Sequence, residues 1–188
     1  MRVIAFDIWS NFGHFKRIYT SASPLTLPFP PPPTVKGILG AIVGAGNYIS
    51  YFKDVQVGIR IINPIRKTVM GFNFLHTKEK QFLSYKKINA KYKHIPVRVE
   101  LLKKPYYRIY LDELRDRLEN KCNDFTVSLG WAEMLANYQF VDEFEGEPIH
   151  KAHIVHSIIP TSKVEKLNME AIKDLRKHKI LLQIQKDR

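Results

Sequence analysis

The sequence predicts an α+β domain, and three observations carry that prediction. Within the first 111 residues, apolar positions pass from strand spacing to helical spacing and back, giving a strand, a helix and then several strands. A second helical segment and further strands follow. A polar, basic stretch between Leu75 and Ile95 separates two well-formed strand candidates and reads as an inserted hairpin. At 188 residues and 45% hydrophobic composition, the chain can bury a real core as one domain with an appendage.

Val3 to Trp9 is apolar enough to be a central strand. Ser10 to Pro33 reads as a long loop, and loops of that length in compact domains are usually functional or disordered. Six of the eleven prolines fall between Pro24 and Pro33. Each fixes φ at about −65° and lacks an N–H, so Pro30 to Pro33 are expected neither to join a sheet nor to continue a helix. Thr34 is then the expected cap of a helix running to about Gly46, with amides at its entry exposed to an anion and Lys36 beside them. Gly37, Gly40 and Gly44 share one face of this helix and predict an unusually close neighbour. Gly44-Ala45-Gly46 is read as the helix terminus.

Val55 to Ile62 alternates cleanly, with Val55, Val57, Ile59 and Ile61 on one face. Arg66 to Leu75, Val97 to Leu102 and Tyr106 to Leu111 are further strands, and Asp112 to Asn120 is a short helix with Leu114 and Leu118 one turn apart. Phe125 to Leu129, Tyr138 to Phe144 and Ile154 to Ile159 read as later strands, Met169 to His178 as a helix, and Ile180 to Ile184 as an apolar run. This order fits a ferredoxin-like, RNA-recognition-type βαββαβ core over residues 1–145, with a hairpin thumb inserted at about 75–96 and a short C-terminal extension over 146–188.

The net charge of +12 calls for a polyanionic partner, most commonly nucleic acid. A lysine-rich thermophilic surface would raise glutamate as well, yet Lys and Arg outnumber Asp and Glu by 30 to 18. The charge is also segregated. Residues 76–108 hold ten Lys or Arg against Glu79 and Glu100, whereas 112–147 hold ten acids against Arg115, Arg117 and Lys121. A basic surface for RNA and an acidic one for a protein neighbour account for both. The single cysteine, Cys122, excludes an internal disulfide and a cysteine-only zinc site. No apolar run reaches the ~20 residues of a membrane span, and MRVIAFDIWS reads as a strand rather than a signal peptide. A cytoplasmic protein is expected.

Tyr85, Lys86 and Lys87, then Lys91, Tyr92, Lys93 and His94, interleave cations with aromatics. Lysines neutralise phosphates and tyrosines stack on unpaired bases, so this pattern points to single-stranded RNA. Lys16, Arg17 and Lys36 extend the track if the first loop folds onto the same face. Metal-independent RNA cleavage needs a base, an acid and a cation. Tyr92, Lys93 and His94 are the right types, with His14 or His76 as additions, although such a triplet is common in a basic, tyrosine-rich chain. His150, His153 and His156 alternate faces at three-residue spacing rather than converging, so they are read as surface histidines. No Ser/His/Asp elbow and no glycine-rich phosphate loop is present, and no cofactor or metal is expected.

Several of these segments together resemble the CRISPR-associated Cas-five family of type I systems. The resemblance rests on the entry PFPPPPTVKGILGAIVG, on ELLKKPYYRIYL before a short acidic helix, and on FTVSLGWAEMLANY with its leucine-glycine turn. It is closer to the non-cleaving archaeal and thermophile-type branches than to type I-C. It implies a subunit present once per Cascade complex, gripping the 5′ handle of CRISPR RNA with a hairpin thumb, capping the Cas-seven backbone and contacting the large subunit. Handle contacts would fall on the loop around Lys16 to Ser21 and on the helix entry near Lys36, and the thumb on about Leu75 to Ile95, which holds Tyr85, Lys86, Lys87, Lys91, Tyr92 and Lys93. The type I-C branch cleaves precursor RNA with a tyrosine beside a lysine and a histidine. Lys93-His94 with Tyr48, Tyr51 or Tyr92 invites that comparison, so a metal-independent endoribonuclease stands as the alternative, and a generic single-stranded RNA-binding protein as another.

Overall fold

In a computed structural model describing residues 2–20, 23–75, 94–147 and 157–160, the first apolar run forms β1 (Arg2–Ser10). Ile4, Phe6 and Ile8 enter the main core while Ala5 and Asp7 are also buried on the opposite face. A strand covered on both faces belongs at the centre of a sheet. β1 indeed pairs antiparallel with β6 (Tyr106–Leu111) on one side and β7 (Ala136–Glu145) on the other, while β3 (Gly58–Ile61) pairs antiparallel with β6. The sheet order is β3-β6-β1-β7. A bulge between Ala5 and Phe6 shifts the β1–β7 register. The Val55 to Ile62 strand is shorter than expected, although Val55 itself is buried in the core.

A second sheet, ordered β2-β5-β4, comprises β2 (Phe12–Gly13), β4 (Lys67–Leu75) and β5 (His94–Lys103). β4 and β5 form a two-stranded ribbon in unbroken register from Lys67↔Leu102 to Leu75↔His94. Residues 76–93, where the hairpin insertion is expected, lie outside the described residues, as do 161–188 with the expected second long helix.

The proline run corrects two expectations. The helix α1 (Pro32–Val43) begins at the prolines, with Pro31 as its N-cap at φ −61° and Pro32 and Pro33 in its first turn. Proline is tolerated there because first-turn amides have no intrahelical acceptor. Thr34 is therefore inside the helix and makes no side-chain cap. The amides of Thr34 and Val35 both donate to the Pro31 carbonyl, at 2.9 and 3.1 Å. With prolines at the preceding positions, the entry has no free amide to offer an anion. α1 lays Val35, Ile38, Leu39 and Ile42 on the four-stranded sheet and ends at Gly44 in the left-handed region. The close neighbour predicted by its glycines is Tyr48, on α2 (Tyr48–Tyr51): a Cβ on Gly40 would lie 2.6 Å from the Tyr48 Cβ.

Residues 10–20 and 23–33 are not a structureless loop. Phe15 and Leu27 are joined by a 2.7 Å backbone bond, Arg17 and Leu25 by one of 2.9 Å, and Lys16 bridges Thr26. Phe15, Leu27 and Phe29 enter the main core, so this segment is a doubled-back strap. Isolated apolar anchors among prolines carry no periodicity, which is why sequence spacing reads it as a loop.

The acidic helix α3 (Arg115–Glu119) is shorter than expected because Leu114 takes a left-handed φ of 75°, although both Leu114 and Leu118 pack on the core. Phe125 to Leu129 forms no strand; only Ser128 bridges Leu135, and Met134 turns back to bond Leu129 and Trp131. Gly130, at φ 103°, makes that turn. A Cβ there would collide with the His14 carbonyl, so the position requires glycine. Residues 157–160 run beside β3, where the Ile158 amide donates to Ile59 at 2.8 Å. Among the described residues, no helix is long and apolar enough to cross a membrane.

A candidate nucleic-acid interface

The strap crosses one face of the ribbon, and Glu100 on β5 fastens it there. Glu100 Oε1 accepts from the Thr26 amide at 3.0 Å and from Lys67 Nζ at 2.8 Å, while Lys67 Nζ also donates to the Thr26 carbonyl. Arg17 Nε reaches that same carbonyl at 3.3 Å. Burial alone pushes the Glu100 carboxyl up, but the Lys67 ammonium, the Thr26 amide and Arg17 outweigh it and hold the group below the usual carboxylate range. Lys67 and Glu100 were not singled out from the sequence. Their cross-strand proximity depends on the β4–β5 register, which spacing within either strand does not reveal.

This network displays the basic part of the strap. Lys16 is exposed and Arg17 half-exposed; Ile18 and Tyr19 project at 68% and 65% exposure. Exposed apolar and aromatic groups beside cations suit base stacking with phosphate neutralisation. Beyond the strap the same ribbon face continues with Gly71 opposite Arg98 and Asn73 opposite Pro96, all exposed, toward the segment 76–93.

The other ribbon face is apolar and rests on the SLGW turn. Trp131 meets Phe72 and Phe74 edge-on at 5.6 and 6.0 Å, and Val99, Leu101 and Met134 are buried beneath. His14 lies 4.6 Å from the Trp131 ring and is itself buried. Its Nδ1 donates to the Glu100 carbonyl at 2.8 Å, while Nε2 is buried without a partner. Burial pulls the imidazole below its ordinary value, so the neutral form is favoured. His14 thus joins strap, ribbon and turn. Burial makes His14 a packing group here, while Tyr92 and Lys93, to which it is a candidate addition in a cleavage centre, lie outside the described residues.

The other expected site residues separate into two groups. Lys36 is apart from the strap, its Nζ donating to the Lys53 carbonyl at 3.0 Å. Tyr48 packs over Gly37 and Gly40, whereas Tyr51 is exposed and edge-on to Phe52. His94 opens β5 opposite Leu75. Ser21, Tyr85, Lys86, Lys87, Lys91, Tyr92 and Lys93 lie outside the described residues, as do His76, His150, His153 and His156.

On the sheet face away from α1, Asp7 accepts from Arg108 at 2.7 and 3.0 Å and from the Tyr106 hydroxyl at 3.0 Å. The bond to Asp7 raises the Arg108 guanidinium further, and burial with the same carboxylate raises the Tyr106 hydroxyl. Trp9 stacks on Tyr106 at 5.5 Å and 11°. The acidic region is partly neutralised within the chain. Glu143 binds Arg2 and Arg115, Glu119 binds Arg115, and Asp124 binds Arg117, leaving Glu113, Asp116, Glu133, Asp142, Glu145 and Glu147 exposed.

Residues 3–127 match the family described as CRISPR-associated protein (Cas_Cas5). No curated protein matches the chain. Among solved structures, one described as a CRISPR RNA-guided surveillance complex is similar at TM-score 0.55 and 13% identity, covering 72% of this chain and 60% of that one. Another, a cryo-EM structure of the Type III-B Cmr-beta bound to cognate target RNA and AMPPnP, is similar at TM-score 0.54 and 14% identity, covering 80% of this chain and 66% of that one. The present chain therefore spans under two thirds of the first structure's length, and these likenesses establish a shared fold. With the family match extending over more than half its residues, the chain belongs to the CRISPR-associated Cas5 family.

Proposed function

We propose that the chain is a non-catalytic RNA-binding subunit of a type I Cascade complex, holding the 5′ handle of CRISPR RNA and capping the Cas-seven backbone. One observation carries the reading. The strap bearing Lys16, Arg17 and Tyr19 is fastened through Glu100 to the root of a ribbon whose far end leads into the lysine- and tyrosine-rich segment 76–93. Two cationic, aromatic elements are thus tied to one support, as a grip on single-stranded RNA requires. The net charge of +12 supports a polyanionic partner. The strand order β3-β6-β1-β7, with α1 between β1 and β3 and α3 between β6 and β7 in the chain, supports reading the larger sheet as a ferredoxin-like core carrying the ribbon as its thumb. The exposed acids near β7 are offered to the large subunit or to Cas-seven, and residues 146–188 form the short extension.

Labelled repeat RNA incubated with purified protein in EDTA tests this reading. The expected result is binding that weakens steeply as salt rises, with the RNA intact. Cleavage abolished by His94→Ala would replace it with the endoribonuclease. Binding without preference for repeat sequence, and without copurification of Cas-seven, would replace it with a generic RNA-binding protein.

A further inference from the structure

The two chain connections between the sheets run side by side at the end of the ribbon remote from residues 76–93. Asn63, Pro64 and Arg66 belong to the β3–β4 connection, Lys103 ends β5 and Lys104 begins the β5–β6 connection; together they line a cleft of about 290 Å³. Its walls are fixed by backbone. The Lys103 amide donates to the Arg66 carbonyl at 2.8 Å, the Lys104 amide to Asn11 at 2.8 Å, and Asn63 Nδ2 to the Lys104 carbonyl at 3.2 Å. Lys104 is held at a left-handed φ of 49°. Three cations converge here, no acid lines the cleft, and none of the three has an acidic partner among the described residues. Convergent like charges repel, and an anion relieves that repulsion.

A flat aromatic pair stands at the same corner. The amides of Ile62 and Asn63 both donate to the Tyr106 carbonyl, at 3.0 and 3.4 Å, and Tyr106 pairs across the sheet with Trp9, on which it stacks. The Tyr106 hydroxyl is bound to Asp7, which sets the ring orientation, and Arg60 lies opposite Arg108 on the neighbouring strand pair. A basic cleft beside a pre-oriented aromatic pair matches the two halves of a nucleotide, phosphate and base.

We propose that this corner is a second nucleic-acid site: Arg66, Lys103 and Lys104 hold a backbone phosphate of a single strand, and the Trp9–Tyr106 pair receives an unpaired base. The inference goes beyond the handle-binding reading. The ribbon separates the corner from the segment 76–93 by about 30 Å, and the site needs no particular sequence.

The test measures affinity of the full chain for a fluorescently labelled ten-nucleotide uridine oligomer across salt concentration. The combined Arg66→Gln, Lys103→Gln and Lys104→Asn variant retains a residue tolerant of the left-handed turn. It is expected to bind at least ~10-fold more weakly at low salt and to reduce the salt slope by about 0.7, the loss of one phosphate contact on a single strand. Trp9→Ala is expected to weaken binding by ~10-fold with the slope unchanged, and to have no effect on an abasic oligomer of equal length. Because Trp9 is part of the sheet, a second readout uses the wild-type chain. Photocrosslinking of a 5-iodouridine oligomer, mapped by mass spectrometry, is expected at Trp9 or Tyr106. An unchanged salt slope in the triple variant, crosslinks confined to other segments, or equal competition by pyrophosphate or polyglutamate would overturn the proposal. A Lys16→Gln, Arg17→Gln variant measured with repeat RNA in parallel separates the two readings, since the corner retains the uridine oligomer whether or not the handle is recognised.

Discussion

The two sheets solve different problems. The four-stranded sheet is covered by α1 and α3, and its β1 centre is buried on both faces. The ribbon has two strands along most of its length, with apolar groups covered only at its root. There Trp131 and Met134 shield Phe72, Val99 and Leu101, while farther out Phe74 and Ile95 remain 41% and 40% exposed. An isolated two-stranded ribbon is marginal in water. The root contacts and the strap therefore decide whether it is presented in one direction. Most of the stability rests on the larger sheet, and presentation of the strap's basic surface rests on the smaller one.

The largest expected effect breaks the first half of that assignment. Phe6→Ala removes a fully buried ring from the centre of the larger sheet and should cost about 3–5 kcal/mol, read as a lowered urea midpoint. Gly130→Ala comes next. It forces a Cβ against the His14 carbonyl at a left-handed φ and should cost about 1–3 kcal/mol, with hydrogen exchange accelerated in β2 and β5 before it rises in β1.

A pH titration sharpens the comparison further. His14 is held neutral by burial, so the unfolded chain binds the extra proton first. Stability is complete above about pH 6.5 and falls as pH drops below it. The slope is at most ~1.4 kcal/mol per pH unit, and the amides of β5 should loosen ahead of β1. Replacing His14 with Gln should flatten the acid limb between pH 7 and 5. Glu100, held low by Lys67, Thr26 and Arg17, adds a further loss as pH falls through and below the ordinary carboxylate range. The smallest stability effect belongs to Lys16→Gln with Arg17→Gln. It should change unfolding by less than ~0.5 kcal/mol, yet reduce the salt slope of RNA binding by about 1.4 if both contact phosphate.

Most of the larger sheet was legible in the sequence because its strands alternate and pair with near neighbours in the fold. The ribbon stem was legible for the same reason, from Arg66 to Leu75 and Val97 to Leu102. The strap was not. Phe15, Leu27 and Phe29 are anchors chosen by tertiary packing, and no period marks them. The helix entry is hidden because proline reads as a breaker, whereas Pro32 and Pro33 occupy the first turn, where a missing amide costs least. In the candidate site, Lys16 and Arg17 were visible as charges. Their fastening through Thr26, Glu100 and Lys67 depends on register across strands far apart in sequence. The SLGW motif was visible as a family marker, but its physical task, placing Trp131 under the ribbon while Gly130 clears His14, emerges only from the packing.

Hydrogen exchange of the full chain with and without repeat RNA tests most directly whether strap and ribbon form the RNA-binding half of the molecule. RNA should slow exchange over residues 15–20, 67–75 and 94–100 while leaving the interior amides of β1 and β6 unchanged. Protection confined to the four-stranded sheet, with strap and ribbon unaffected at saturating RNA, would contradict the account.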